Sequence, residues 1–188
     1  MSKSTVLALV GSLRADSHNR KLAEAIQLNA PEDIEIVIHE SLGNIPFYNE
    51  DIDVEGQVPA AATALREAAG QADALLLVTP EHNGTMPASL KNAIDWLSRP
   101  FGAGALTGKP TAVVGTAFGQ FGGVWAQDEA RKAVGIAGAR VLEDAKLAVP
   151  GSMVRFAETH PKDDAEVVEQ IKGLFDALAA VEPAGAAA

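Results

Sequence analysis

Residues 74–100 constrain the fold more than any other stretch. They read ALLLV, then TPEHNGTMPAS, then LKNAIDWLSRP. The opening five residues are apolar without alternation, the pattern of a strand buried on both faces. Leu90, Ala93, Ile94 and Leu97 then fall at helical spacing, and Pro100 closes the segment. Pro87 suits the first helical turn, where a missing N–H costs nothing. Strand, loop and helix in this order belong to a sheet crossed by helices, which holds its ligands at the carboxyl ends of its strands. The loop here is Pro80-Glu81-His82-Asn83-Gly84. It has little ionic character and offers amides to a flat ring with polar edges. The same residues also suit an ordinary strand–helix connection, and this stretch alone leaves both readings open.

The rest of the chain repeats the unit. Residues 5–10, 34–39, 111–115 and 140–148 read as strands, the last less cleanly marked. Residues 20–28, 60–72, 125–136 and 163–181 read as helices, the last with Val167, Ile171, Leu174 and Leu178 on its apolar face. Residues 41–59 are irregular, with Pro46, Phe47 and Tyr48, and suit the edge of a site or an interface. The expected fold is α/β: a doubly wound, five-stranded parallel sheet of flavodoxin-like order 2-1-3-4-5, with helices on both faces. Travel reverses between strands one and three, so loops 11–19, 80–86 and 116–123 should line one crevice. Residues 1–182 are expected to form a single domain, and 183–188 a frayed small-residue tail.

Loop 11–19 suits an anion. A strand followed by a turn and a helix presents free N–H groups at a helix start. Ser12, Ser17 and Asn19 add neutral donors, and Arg14 adds a planar fork that matches phosphate. The competing reading is a capping turn beside an exposed Arg. No Gly-Lys-Ser/Thr ending makes it a Walker loop, and the later glycines of the dinucleotide fingerprint are missing. Gly102, Gly104 and Gly108 follow a helix rather than a strand, which removes them from that fingerprint.

Other chemistries find little support. A formal net charge of −10 argues against a nucleic-acid binder held by phosphate contacts. There is no Cys, hence no thiolate ligand or nucleophile. His18, His39, His82 and His160 include no pair at metal-ligand spacing, so no metal is expected. No Gly-x-Ser-x-Gly elbow is present. His82 remains a candidate acid or base, although a lone loop His more often serves as a contact. The N-terminus lacks a signal-peptide pattern and no apolar run approaches about 20 residues, so a cytoplasmic protein without membrane insertion is expected.

Gly11-Ser12-Leu13-Arg14 with Ser17 and Asn19, then Pro80 to Gly84, then Leu90-Lys91-Asn92-Ala93-Ile94-Asp95-Trp96-Leu97-Ser98-Arg99-Pro100, together resemble the NAD(P)H-dependent FMN reductase family, which includes quinone, chromate and azo-dye reductases. The resemblance covers residues 6–149. It implies a flavodoxin-like fold with noncovalent FMN, and NAD(P)H as co-substrate. It further implies that Ser12, Arg14, Ser17 and Asn19 hold the FMN phosphate. Pro80, Glu81, His82, Asn83 and Gly84 would meet the isoalloxazine ring, with Thr116 and Gly119 on its other flank. The flavin carries the chemistry, with a quinone-like, azo or metal-ion oxidant and no protein nucleophile. A homodimer or homotetramer is implied. His82 stands where the family commonly has Tyr or Phe, and Trp125 where its Gly-Gly-x-Arg-x-Gln pattern has Arg. A flavodoxin-type electron carrier with no substrate of its own is the alternative reading.

Overall fold

The computed structural model describes residues 3–40 and 42–179. Five strands form one sheet: β1 (Ser4–Val10), β2 (Ile34–Ile38), β3 (Ala74–Val78), β4 (Pro110–Thr116) and β5 (Arg140–Val149). All pair in parallel, in the order β2-β1-β3-β4-β5. The helices are α1 (His18–Leu28), α2 (Ala60–Gln71), α3 (Ala88–Leu97), α4 (Val124–Ile136), the short α5 (Ser152–Arg155) and α6 (Ala165–Ala179). The sheet is the one its alternating units imply. Residues 183–188, expected as a tail, lie outside the described residues.

Strand alternation builds two cores. Val6, Ala8, Val10, Leu76 and Val78 point to one face and pack with Leu22 and Ile26 of α1 and Ile171 and Leu174 of α6. Leu7, Leu9, Leu75 and Leu77 point to the other, against Leu65 of α2, Leu90 and Ile94 of α3 and Val134 of α4. The central strand β3, ALLLV, is therefore apolar at every position, and β1 is apolar from Val6 to Val10. Register sets Val10 beside Val78, Val78 beside Val114 and Thr116 beside Val149, so the carboxyl ends of four strands finish at one level. The loops expected to converge do start together.

Two local readings are corrected. Pro87 is the N-cap, extended at φ −70° and ψ 152°, and α3 begins at Ala88; the capping position needs no N–H either. Helix α5 and three 3-10 turns, Leu42–Asn44, Glu50–Ile52 and Pro161–Asp163, were not foreseen, because single turns are too short to show a period. The weak signature of β5 also has a cause. Thr111 pairs Val141 but Val113 pairs Lys146, so one residue of β4, Ala112, stands against four of β5, 142–145, and the strand bulges. Buried Arg131 donates from Nη2 to the Val113 carbonyl at 2.7 Å, where the register slips.

Candidate active site

The site grows from the first β–α turn. Among the described residues, no acceptor takes the backbone N–H groups of Ser12 to Asn19. Ser17 is the N-cap of α1, and its Oγ accepts from Arg20 N at 3.2 Å. That leaves its hydroxyl proton free to donate. Arg14 is exposed and makes one hydrogen bond, from Nη2 to the Asp16 carbonyl at 2.9 Å. Unused donors around a helix start, with an exposed guanidinium beside them, make a fitting cradle for a phosphate group.

Asn19 is used differently from its neighbours. It is buried, and its Nδ2 donates to the Thr116 carbonyl at 2.9 Å while its Oδ1 accepts from Thr116 N at 3.0 Å. Thr116 in turn donates from Oγ1 to the Val149 carbonyl. Asn19 thus splices the start of α1 to the end of β4, and Thr116 turns its hydroxyl inward. Gly119 lies farther out in the exposed loop, with open space where a Cβ would stand.

Loop 80–86 is a folded element rather than a plain connection. His82 N donates to the Thr85 carbonyl at 2.9 Å and Thr85 N to the His82 carbonyl at 3.1 Å. Between them Asn83 and Gly84 have φ of 54° and 77°. This is a two-residue hairpin of type I′ hand, the turn that Asn-Gly favours. The N–H groups of Asn83 and Gly84 have no acceptor among the described residues and face outward from the turn. Glu81 anchors the hairpin from behind: its Oε2 accepts from Ala126 N, in the first turn of α4, at 3.2 Å. Its carboxylate therefore points to a helix end, which the sequence alone did not signal.

The turns meet across a cleft of about 690 Å³. Ser12, Arg14 and His82 line it, with Leu13, Ile45, Pro46 and Phe47 among its apolar walls. Its polar end lies at the cradle and its apolar walls beyond, which suits a flat aromatic ring on a phosphate tail. Of the residues expected to meet the ring, His82 alone lines this cleft; Pro80, Glu81, Asn83, Gly84 and Thr116 form its supports and neighbours.

Sequence reasoning missed three positioning residues. Ser89 donates from Oγ to the Gly11 carbonyl at 2.6 Å and ties α3 to the first turn. Asn92, buried in α3, accepts from Tyr48 N and donates to the carbonyls of Ile45 and Pro46. Trp96 is fully buried and donates from Nε1 to Pro46 at 2.8 Å. The Asn-x-x-x-Trp spacing in LKNAIDW puts both on one helix face, a signal that was present but unread. Together they hold the cleft wall 45–48. Arg66 extends the brace through a bidentate pair with Asp53, at 2.7 and 2.8 Å, and lies over the Trp96 ring. That guanidinium holds the Asp53 carboxyl below its ordinary range.

Residues 4–153 match the family model for NADPH-dependent FMN reductases. A quinone reductase of Pseudomonas putida is 46% identical over 130 residues, 69% of each chain. A 2-hydroxy-1,4-benzoquinone reductase of a Burkholderia species is 43% identical over 126 residues, 67% of each chain. Among solved structures, the flavoenzyme NAD(P)H:(acceptor) oxidoreductase FerB of Paracoccus denitrificans superposes with a TM-score of 0.77 at 28% identity, covering 94% of this chain and 97% of its own.

Proposed function

Since the chain belongs to the NADPH-dependent FMN reductase family and is an NAD(P)H-dependent FMN oxidoreductase rather than a bare electron carrier, we propose that it passes reducing equivalents to a small quinone. The observation that carries this reading is a cleft lined by Ser12, Arg14 and His82, each in a turn whose backbone amides, those of residues 12–19 and of Asn83 and Gly84, have no acceptor among the described residues. Bound FMN would supply hydride acceptance and two-electron donation.

The chain's own part is binding and orientation. Ser12, Ser17 and Arg14 would hold the phosphate, with Asn19 bracing the turn. The hairpin amides would meet the ring's polar edge and stabilise negative charge developing there. Pro80 and Glu81 would set the hairpin's position, and Thr116 and Gly119 would flank the ring from the β4 side. The walls Leu13, Ile45 and Phe47 would exclude water from one ring face and admit a flat oxidant. His82, exposed at the cleft margin, would contact the substrate rather than transfer a proton.

A homodimer belongs to this proposal. The groove between α3 and α4, about 490 Å³, has buried Met86 and Ile94 at its floor and exposed Ile136 at its side, with Lys91, Asp95 and Lys132 around them. Charges of both signs around an apolar floor suit a two-fold contact with a second copy. No described helix is long and apolar enough to cross a membrane. We place the enzyme in the cytoplasm, where its nicotinamide co-substrate is drawn.

Purified protein should be yellow and release FMN on heating. Initial rates of NAD(P)H oxidation at several quinone concentrations should give parallel lines, the pattern of one product leaving before the other substrate binds. Flavin that dithionite reduces but neither nicotinamide cofactor does would defeat the proposal.

A further inference from the structure

Arg14, at the phosphate end of the ring cleft, is the one Arg or Lys that lines it, and no carboxylate does. Beyond Arg14 the walls are Leu13, Ile45, Pro46 and Phe47. Two of these side chains stay largely in water: Leu13 is 59% exposed and Phe47 77%. A single exposed apolar residue is ordinary. Here two of them, from separate loops, share one concave surface, which marks a place for a ligand.

One face of α3 fixes both walls. Ser89, Asn92 and Trp96 follow one another at spacings of three and four residues. Ser89 holds the Gly11 carbonyl, two residues before Leu13. Asn92 and Trp96 hold the backbone of Ile45, Pro46 and Tyr48. Tyr48 turns inward, edge-on to Trp96 with ring centroids 5.0 Å apart, and Arg99 lies over its ring at 5.6 Å. Phe47 sits between these two pinned neighbours, and its own ring has no aromatic or cationic partner among the described residues. The slot is therefore built before a ligand arrives, and filling it costs little ordering. The His82 imidazole lines the same cleft without a hydrogen-bond partner among the described residues, and suits a carbonyl oxygen on whatever ring enters.

We propose that Phe47 is the specificity-determining residue for the oxidant: its ring lies against the face of a neutral, flat acceptor of the fused-ring quinone class, and favours it over saturated molecules of the same size and over inorganic anions. The inference rests on the quinone-reductase reading. A dinucleotide donor is held along its length, whereas a small quinone offers only ring faces and carbonyl oxygens, so loss of this wall bears chiefly on the quinone.

2-Naphthol and 2-decalol share a carbon skeleton, and only the first is flat. Titration of the oxidised, FMN-loaded wild type should find 2-naphthol bound at least about fivefold tighter. Equal binding would overturn the proposal, and that comparison needs no variant. Phe47→Ala should remove most of the preference and lower kcat/KM for 1,4-naphthoquinone about tenfold, and Phe47→Tyr should restore both. Turnover with ferricyanide, an inorganic anion without a ring, should fall less than about twofold, and single-turnover flavin reduction by NAD(P)H less than about threefold. Equal losses in flavin reduction and quinone turnover, a weaker hold on FMN, or a changed sedimentation coefficient would put Phe47 on the flavin or at a subunit contact and overturn the proposal. If Phe47→Ala reduces naphthoquinone as well as the wild type does, this inference falls and the reductase reading stands. If NAD(P)H reduces the wild-type flavin but no quinone reoxidises it, the quinone reading falls and this inference with it.

Discussion

Loops 11–17 and 80–86 leave neighbouring strands at the same level, yet they are held in opposite ways. The first has almost no bonds of its own. Its shape comes from its ends: Gly11 N on the Val78 carbonyl, Ser89 on the Gly11 carbonyl, and Asn19 on Thr116. A Cβ on Gly11 would stand 2.8 Å from Pro87 and 3.2 Å from Leu90, so the turn is pressed onto α3 where only hydrogen fits. The second loop closes on itself through the His82–Thr85 pair and needs only Glu81 to fix it in place. One loop keeps its donors unspent and borrows rigidity from distant elements. The other spends its inner bonds on a turn and keeps only outward amides. A phosphate is met by many convergent donors, whereas a ring edge needs a few at fixed positions.

The largest effect should come from removing the borrowed rigidity. Asn19→Ala leaves a buried N–H and a buried carbonyl of Thr116 without that partner, and should cost about 3 kcal/mol of stability in urea unfolding. FMN and riboflavin should both bind more weakly. A loss confined to FMN, at unchanged stability, would make Asn19 a phosphate ligand and erase the contrast.

Gly84→Val attacks the self-made loop. Nothing lies within 4 Å of a Cβ built on Gly84, so bulk is not the difficulty. Its φ of 77° is, and a β-branched residue there should cost about 2 kcal/mol. Gly84→Asn, which tolerates that region, should recover most of it. The measurement is again urea unfolding, paired with riboflavin titration. An equally harmful Asn would point to a contact at that position instead of backbone strain.

Arg14→Ala should give the smallest and most selective change. The exposed side chain holds nothing in the fold beyond one carbonyl, so stability should not move. FMN should weaken about tenfold while riboflavin, which lacks the phosphate, is bound as before. Equal loss of both ligands would show that Arg14 acts through the conformation of the loop.

Much of this was legible in the chain. Uninterrupted runs such as ALLLV announced strands covered on both faces, and five strand–helix units left few topologies open. Convergence of three loops followed from the strand order. The partners of individual side chains did not follow. Asn19 resembles a donor for phosphate as much as a splice to Thr116, because an amide's composition does not say where it points. Glu81 gave no sign that it reaches α4, 45 residues farther on. Asn92 and Trp96 recur on one helix face, but their acceptors at Ile45 and Pro46 lie in a stretch with no periodicity to read.

The sequence by itself determined the elements, their order and the sites where ligands gather, because hydrophobic period and turn chemistry act within a few residues. Asn83-Gly84 belongs to that class: two adjacent residues are enough to specify the turn. Tertiary structure alone decided which donors remain free and which are consumed. A hydrogen bond between Asn19 and Thr116 spans 97 positions and exists only once β1, β3 and β4 lie side by side. It also brought Arg20 and His39 to one cleft beside the turn 12–14, which requires β2 at the edge next to β1.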